Sequence, residues 1–145
     1  MTKIFAVRTH EIHAGHRVYG HNGKCKSLHG HSYIIHFYCE GTSEDTKLNE
    51  LGMVIDFGII KETLCKWLDE NYDHKMLIWE HDPIHVSLSK IDDGVVVVPF
   101  NPTAENIAYF LLNTIAPKLL KDIDINVTRV IVEETSKCRA ECVND

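Results

Sequence analysis

His29-Gly30-His31 opens a run, HSYIIHFYCE over 31–40, that is aromatic, β-branched and alternating, and so reads as a strand. Side chains two apart in a strand share a face. His29, His31, Tyr33, Ile35, Phe37 and Cys39 therefore fall on one side, and Ile34, His36 and Tyr38 on the other. Two imidazoles at the mouth of an apolar strand face constrain the fold strongly, because they need only one more nitrogen to form an open tripod for zinc. His16 can supply it if its segment pairs beside the segment carrying His31; His10, His13 and His21 are rival third ligands. A turn in which Gly30 supplies unusual backbone angles and the imidazoles face solvent is the plainer alternative.

Cys25 precedes these histidines in Cys25-Lys26-Ser27-Leu28-His29-Gly30-His31. It is either a fourth ligand that closes the site or a free thiolate beside an open one. Lys24 and Lys26 flank it, and positive neighbours favour the thiolate, the form that acts as base or nucleophile. Cys39 and Cys65, set in strand and helix patterns, read instead as small buried apolar groups.

The remaining elements follow from local chemistry. Residues 4–13 read as a first strand and 13–26 as a loop, or a strand that breaks up, carrying His16. A polar turn is expected over 41–51. Asp56 is a helix N-cap, with Ile59, Ile60, Thr63, Leu64, Trp67 and Leu68 recurring at helical spacing to about Glu70-Asn71. Residues 72–85 read as a loop with an apolar centre, followed by a polar segment and a short extended piece at Val95–Val98. Asn101-Pro102-Thr103-Ala104-Glu105-Asn106 starts a second helix, with Thr103 as N-cap and Glu105 near the positive end of the dipole. That helix runs to about Pro117. Residues 125–134 alternate as a strand, onto which 138–143 can fold back across Thr135-Ser136-Lys137. Two strands, two helices and two strands predict an α+β chain: an antiparallel four-stranded sheet with two helices packed on one face.

Composition bounds the rest. The 145 residues suit one domain that buries a core without disulfide staples. An apolar fraction of 44% and a charged fraction of 25% belong to an ordinary soluble protein. Five cysteines with no CxxC pair suit a reducing compartment. The first sixteen residues lack a signal-peptide core, and no stretch nears the roughly 20 apolar residues of a membrane span, so a cytoplasmic protein is expected. A net charge of -6 argues against nucleic acid or an anionic membrane, but leaves room for an anionic small molecule.

Three further positions bear on chemistry. Asp73-His74 follows a helix end; a carboxylate that orients an imidazole makes a proton shuttle, whereas a solvated loop pair is the reading of those two residues taken alone. Glu134 ends a strand, and its carboxylate can accept paired N–H bonds from a planar heterocycle such as a guanine or pterin edge. Glu133 faces the opposite side, so only one of the two can be inside. Thr103 and Glu105 are explained by capping alone.

Together, His13-Ala14-Gly15-His16-Arg17, Cys25 to His31, Gly52 to Gly58 (GMVIDFG), Asp73-His74, Pro102 to Asn106 (PTAEN) and Glu134-Thr135 resemble the 6-pyruvoyltetrahydropterin synthase / 6-carboxytetrahydropterin synthase family across nearly the whole chain. Ile12 and Cys142 stand where that family often has Phe and Tyr. The resemblance implies one tunnelling-fold domain over 1–145, assembled as a homohexamer of stacked trimers with active sites between subunits. It implies zinc on His16, His29 and His31, Cys25 as proton acceptor and Asp73 with His74 as a relay. Glu134 is then the pterin anchor and a relay partner, with Thr103 and Glu105 lining the pterin pocket. The Cys-x3-His-Gly-His spacing looks like the 6-carboxytetrahydropterin branch of queuosine biosynthesis. That branch converts 7,8-dihydroneopterin triphosphate to 6-carboxy-5,6,7,8-tetrahydropterin, acetaldehyde and triphosphate. The alternatives are the pyruvoyl branch, a non-catalytic zinc-stabilised pterin-binding or assembly module with Cys25 as fourth ligand, and, last, a metal hydrolase, for which no HExxH-like element supplies a base.

Overall fold

Alternation organises the centre of the computed structural model, which describes residues 2–44 and 47–145. Met1, and Asp45 and Thr46 of the expected turn over 41–51, lie outside the described residues. Strand β1 (Ala6–His16) pairs antiparallel with β2 (His29–Gly41) along its full length, from Ala6 opposite Cys39 to His16 opposite His29. Opposed residues of an antiparallel pair share a face. Ile12, Ala14 and His16 thus join Tyr33, Ile35, Phe37 and Cys39 as buried residues on one side. His13, Ser32 and His36 occupy the other. The first strand is three residues longer than expected at its end, so His16 closes a strand and does not sit in a loop.

Helix α1 spans 57–71 and starts as expected, with the Asp56 carboxylate accepting from the Gly58 N–H at 2.8 Å. Ile60, Leu64, Cys65 and Leu68 form its buried stripe. A π turn at Lys61–Cys65 widens it in the middle. Strand β3 (Met76–Trp79) follows, then α2 (His85–Ile91) and β4 (Val95–Val98). Helix α3 spans 104–119, capped by Thr103, whose hydroxyl accepts from Asn106 N–H at 3.1 Å. Its π turn at Leu111–Ile115 ends just before Pro117, whose ring cannot fit against the carbonyl four residues back in a regular helix. Strands β5 (Ile125–Glu133) and β6 (Arg139–Val143) form the expected hairpin.

The expected four-stranded antiparallel sheet with two helices is corrected to a six-stranded mixed sheet with three helices. The strand order is β4-β3-β1-β2-β5-β6. Strand β3 runs parallel to β1, with Gly15 beside Met76 and His16 beside Leu77, and β4 runs parallel to β3. Parallel neighbours need a crossover, and α2 is the crossover between β3 and β4. Strand β3 lies in the segment read as a loop and α2 in the polar segment after it, whereas β4 falls on the extended piece expected at Val95–Val98. Strand β3 has four residues, too few for a period to declare itself, and α2 has no buried residue, so it carries no apolar stripe. Among the described residues, no helix is long and apolar enough to cross a membrane.

Candidate metal centre and active site

The β1–β2 ladder ends on histidines. His16 lies opposite His29, and His31 lies opposite Ala14 on the same face. Glycines make this end narrow: a Cβ on Gly15 would stand 2.5 Å from Met76 Cε, and one on Gly30 would stand 3.1 Å from the Ala14 carbonyl oxygen. One ring nitrogen from each of His16, His29 and His31 comes within 4.8 Å of the others, the one such cluster among the described residues. The rivals are engaged elsewhere, His10 with Asp69 at 2.7 Å, His13 with Ser32 at 3.0 Å and His21 with the Gly23 N–H at 2.8 Å.

Backbone carbonyls fix which nitrogens face inward. His16 Nδ1 lies 2.6 Å from the Pro102 carbonyl oxygen, and His29 Nδ1 lies 2.6 Å from that of Ser27. A carbonyl only accepts, so both Nδ1 atoms donate and the neutral rings present lone pairs at Nε2. Those two Nε2 atoms are 3.0 Å apart. Two lone pairs at that distance repel unless a cation sits between them. His31 Nε2 is buried without a hydrogen-bond partner, although Glu134 Oε1 is 3.2 Å away. Burial lowers the pKa of His16, against the opposing pull of the Pro102 bond and Glu134, and burial lowers that of His31 as well. The neutral ring is the ligand form. Three neutral imidazoles with Nδ1–H bonds behind two of them are the donor set and support that zinc takes.

Glu134 Oε1 stands 3.2 Å from both His16 Nε2 and His31 Nε2, so this carboxylate stands beside the trio. Glu133 turns the other way and bonds His36, whose other nitrogen meets the Thr9 hydroxyl at 2.8 Å. Cys25 lies half-buried in a 3-10 turn over Lys24–Lys26, and its carbonyl accepts from Val18 N–H at 2.7 Å. It stands outside the three-histidine cluster.

The structure does not bring Asp73 and His74 to the trio of the same chain. His74 N–H donates to the His13 carbonyl at 2.6 Å, and Asp73 Oδ1 accepts from His13 N–H at 2.8 Å, so the pair extends the β3 edge beside β1. The His74 ring lies 6.0 Å from that of His13, on the face opposite His16. His74 adopts φ +60°, and in this turn Asp73 Oδ2 reaches its Nδ1 at 3.0 Å. Burial pushes the Asp73 carboxyl up, but the bonds from His13 and His74 outweigh it and hold it below its ordinary value.

Thr103 is engaged as the α3 cap and Glu105 is exposed in the first turn. The PTAEN segment instead reaches the trio through the Pro102 carbonyl. Sequence reasoning missed that contact and the one from Ser27, because carbonyls carry no sequence signal. It also missed Arg17, which forks onto buried Asp82 at 2.6 and 2.5 Å, and Asn101, whose amide bonds the Tyr19 backbone at 3.2 and 2.9 Å. Arg17 sits in HAGHR and Asp82 beside His81, but nothing in their spacing joins them.

Comparison with known proteins now bears on this site. The model of the family described as 6-pyruvoyl tetrahydropterin synthase matches residues 6–145. The chain belongs to that family. Within it, the chain is 40% identical over 140 residues to a protein of Rickettsia bellii named 6-carboxy-5,6,7,8-tetrahydropterin synthase, covering 95% of this chain and 99% of that one. A protein of the same name from Aquifex aeolicus is 31% identical, covering 92% and 94%. In fold, the chain resembles an uncharacterised protein of Wolinella succinogenes with a TM-score of 0.84 at 22% identity over the whole of both chains. It also resembles the 6-pyruvoyl tetrahydropterin synthase of Caenorhabditis elegans, with a TM-score of 0.63 at 20% identity over the whole of both.

Proposed function

We propose that the chain is a zinc-dependent 6-carboxytetrahydropterin synthase. It converts 7,8-dihydroneopterin triphosphate to 6-carboxy-5,6,7,8-tetrahydropterin, acetaldehyde and triphosphate. The observation that carries this reading is the convergence of three imidazoles beside Glu134, two of them with Nε2 lone pairs turned inward. The names of the relatives that span nearly the whole chain support the substrate.

His16, His29 and His31 would hold the zinc, which supplies Lewis acidity toward the hydroxyl oxygens of the substrate side chain. The Cys25 thiolate takes the proton from the carbon beside such a hydroxyl. Its place outside the histidine cluster supports a base over a fourth ligand, and so supports an enzyme over a structural zinc module. Glu134 accepts from the pterin ring N–H groups and keeps the reacting carbon within reach. Thr103 and Glu105 line the pterin pocket.

Asp73 orients His74 for proton return. Because that pair lies on the face opposite its own trio, the working site takes it from a neighbouring subunit of a cytoplasmic hexamer built from two stacked trimers. Incubation of the zinc-loaded protein with 7,8-dihydroneopterin triphosphate tests the reading. 6-Carboxytetrahydropterin with acetaldehyde is the expected product by mass; 6-pyruvoyltetrahydropterin would move the chain to the other branch, and no turnover with Cys25 bound to zinc would sink the enzyme.

A further inference from the structure

Tyr33 is 2% exposed, and its hydroxyl has no hydrogen-bond partner. A buried O–H left unpaired is costly, and phenylalanine would pack the same ring without that cost. The ring sits against the metal centre: its centroid is 5.9 Å from that of His16 and 5.4 Å from that of His31, both edge-to-face. Tyr72 provides the contrast. It is equally buried with an unpaired hydroxyl, yet its ring packs on Trp67 at 4.8 Å, within the helical layer. The Tyr33 ring therefore stands against two histidines of the trio, and the Tyr72 ring against a helix residue.

We propose that Tyr33 is a binding residue of this site, whose phenol donates a hydrogen bond to an oxygen of the hydroxylated side chain that enters between His16, His31 and Glu134. The idea rests on the pterin reading above. It adds a donor for the side chain that is distinct from the groups given to the ring and to the metal. Strand geometry supports the assignment: Tyr33 follows His31 by two residues on the same face, so one strand presents a ligand and then a donor to the same occupant.

Binding, and not turnover, tests it. Zinc-loaded wild type, Tyr33→Phe and Tyr72→Phe proteins are titrated calorimetrically with neopterin, an oxidised pterin that keeps the trihydroxypropyl chain, and with unsubstituted pterin. The expected result is neopterin affinity about 3- to 10-fold weaker in Tyr33→Phe, the range of one lost hydrogen bond, with pterin affinity and zinc content unchanged. Tyr72→Phe should bind both as the wild type does, and neither variant should unfold at a lower temperature. Equal neopterin affinity in Tyr33→Phe and wild type would overturn the assignment and leave Tyr33 as packing. Parallel weakening toward both ligands would also overturn it, since the effect would not be directed at the side chain. A wild-type protein that binds neither ligand would instead remove the pterin reading itself.

Discussion

His16 joins three distant parts of the chain: its backbone closes β1, its Nδ1 reaches Pro102 at the start of α3, and its Nε2 faces His29 and Glu134. At this scale the division of labour between ligands and base can be separated. Cys25 stands outside the histidine cluster, so Cys25→Ala should keep a full complement of zinc while turnover falls by about 100-fold or more. His29→Ala removes one of three nitrogens and should lose both metal and turnover. Metal content by plasma emission, read beside product formation, checks the pair; a zinc-free Cys25→Ala protein would defeat the distinction. The pairing of His29 and His31 was legible in sequence because the period of a strand puts them on one face, whereas His16 was one of four candidates for the third ring until the strand register placed it opposite His29. The carbonyls that orient two of these rings were not, since Pro102 and Ser27 act through backbone that any residue would supply.

Among the elements, the pair Arg17–Asp82 ties the segment after β1 to the loop between β3 and α2. Asp82 is 1% exposed and Arg17 19%, so Arg17→Ala leaves a buried carboxylate without its partner and should cost about 3 kcal/mol. Burial raises the Asp82 pKa, but the Arg17 bond and the Ile84 N–H outweigh it and leave the carboxyl below its ordinary value. A carboxyl lowered on folding stabilises the native state above its unfolded value, and that contribution disappears as the pH falls through the lower folded value. The difference between wild type and Arg17→Ala in urea unfolding should thus be full at pH 7 and shrink below about pH 4. A difference independent of pH would mean that lost packing, and not charge, carries the effect. The helix starts at Asp56 and Thr103 and the alternation of β2 and β5 were readable, because caps and periods are local. Of the β3–α2–β4 unit only the extended piece at Val95–Val98 was: a four-residue parallel strand and a helix without a buried face are specified by their neighbours in space.

Across the whole molecule, the Asp73–His74 pair and the histidine trio occupy opposite faces of one sheet. The sheet also ends in two open edges, β4 and β6. A ring of subunits would bring the two halves together. Mixing Cys25→Ala and His74→Ala subunits, each inactive alone, should restore about a quarter of wild-type turnover at equal ratio, since half the sites keep Cys25 and half of those meet an intact neighbour. Absence of any recovery after exchange of subunits would place the complete site within one chain. The position of Asp73 and His74 relative to the trio was the least legible part of the proposed site in sequence, because motif order along a chain does not say which parts the fold brings together.

The bond from His16 to Pro102 gives the centre a distant reporter. The carbonyl that orients the ring immediately precedes Thr103, whose side chain and carbonyl receive the amides of Asn106 and Ile107. Filling the trio fixes His16, and through it the first turn of α3, so zinc should slow deuterium uptake at the amides of Asn106 and Ile107 although neither residue touches the ion. If those two amides exchange at one rate with and without zinc, the first turn is held by its cap alone.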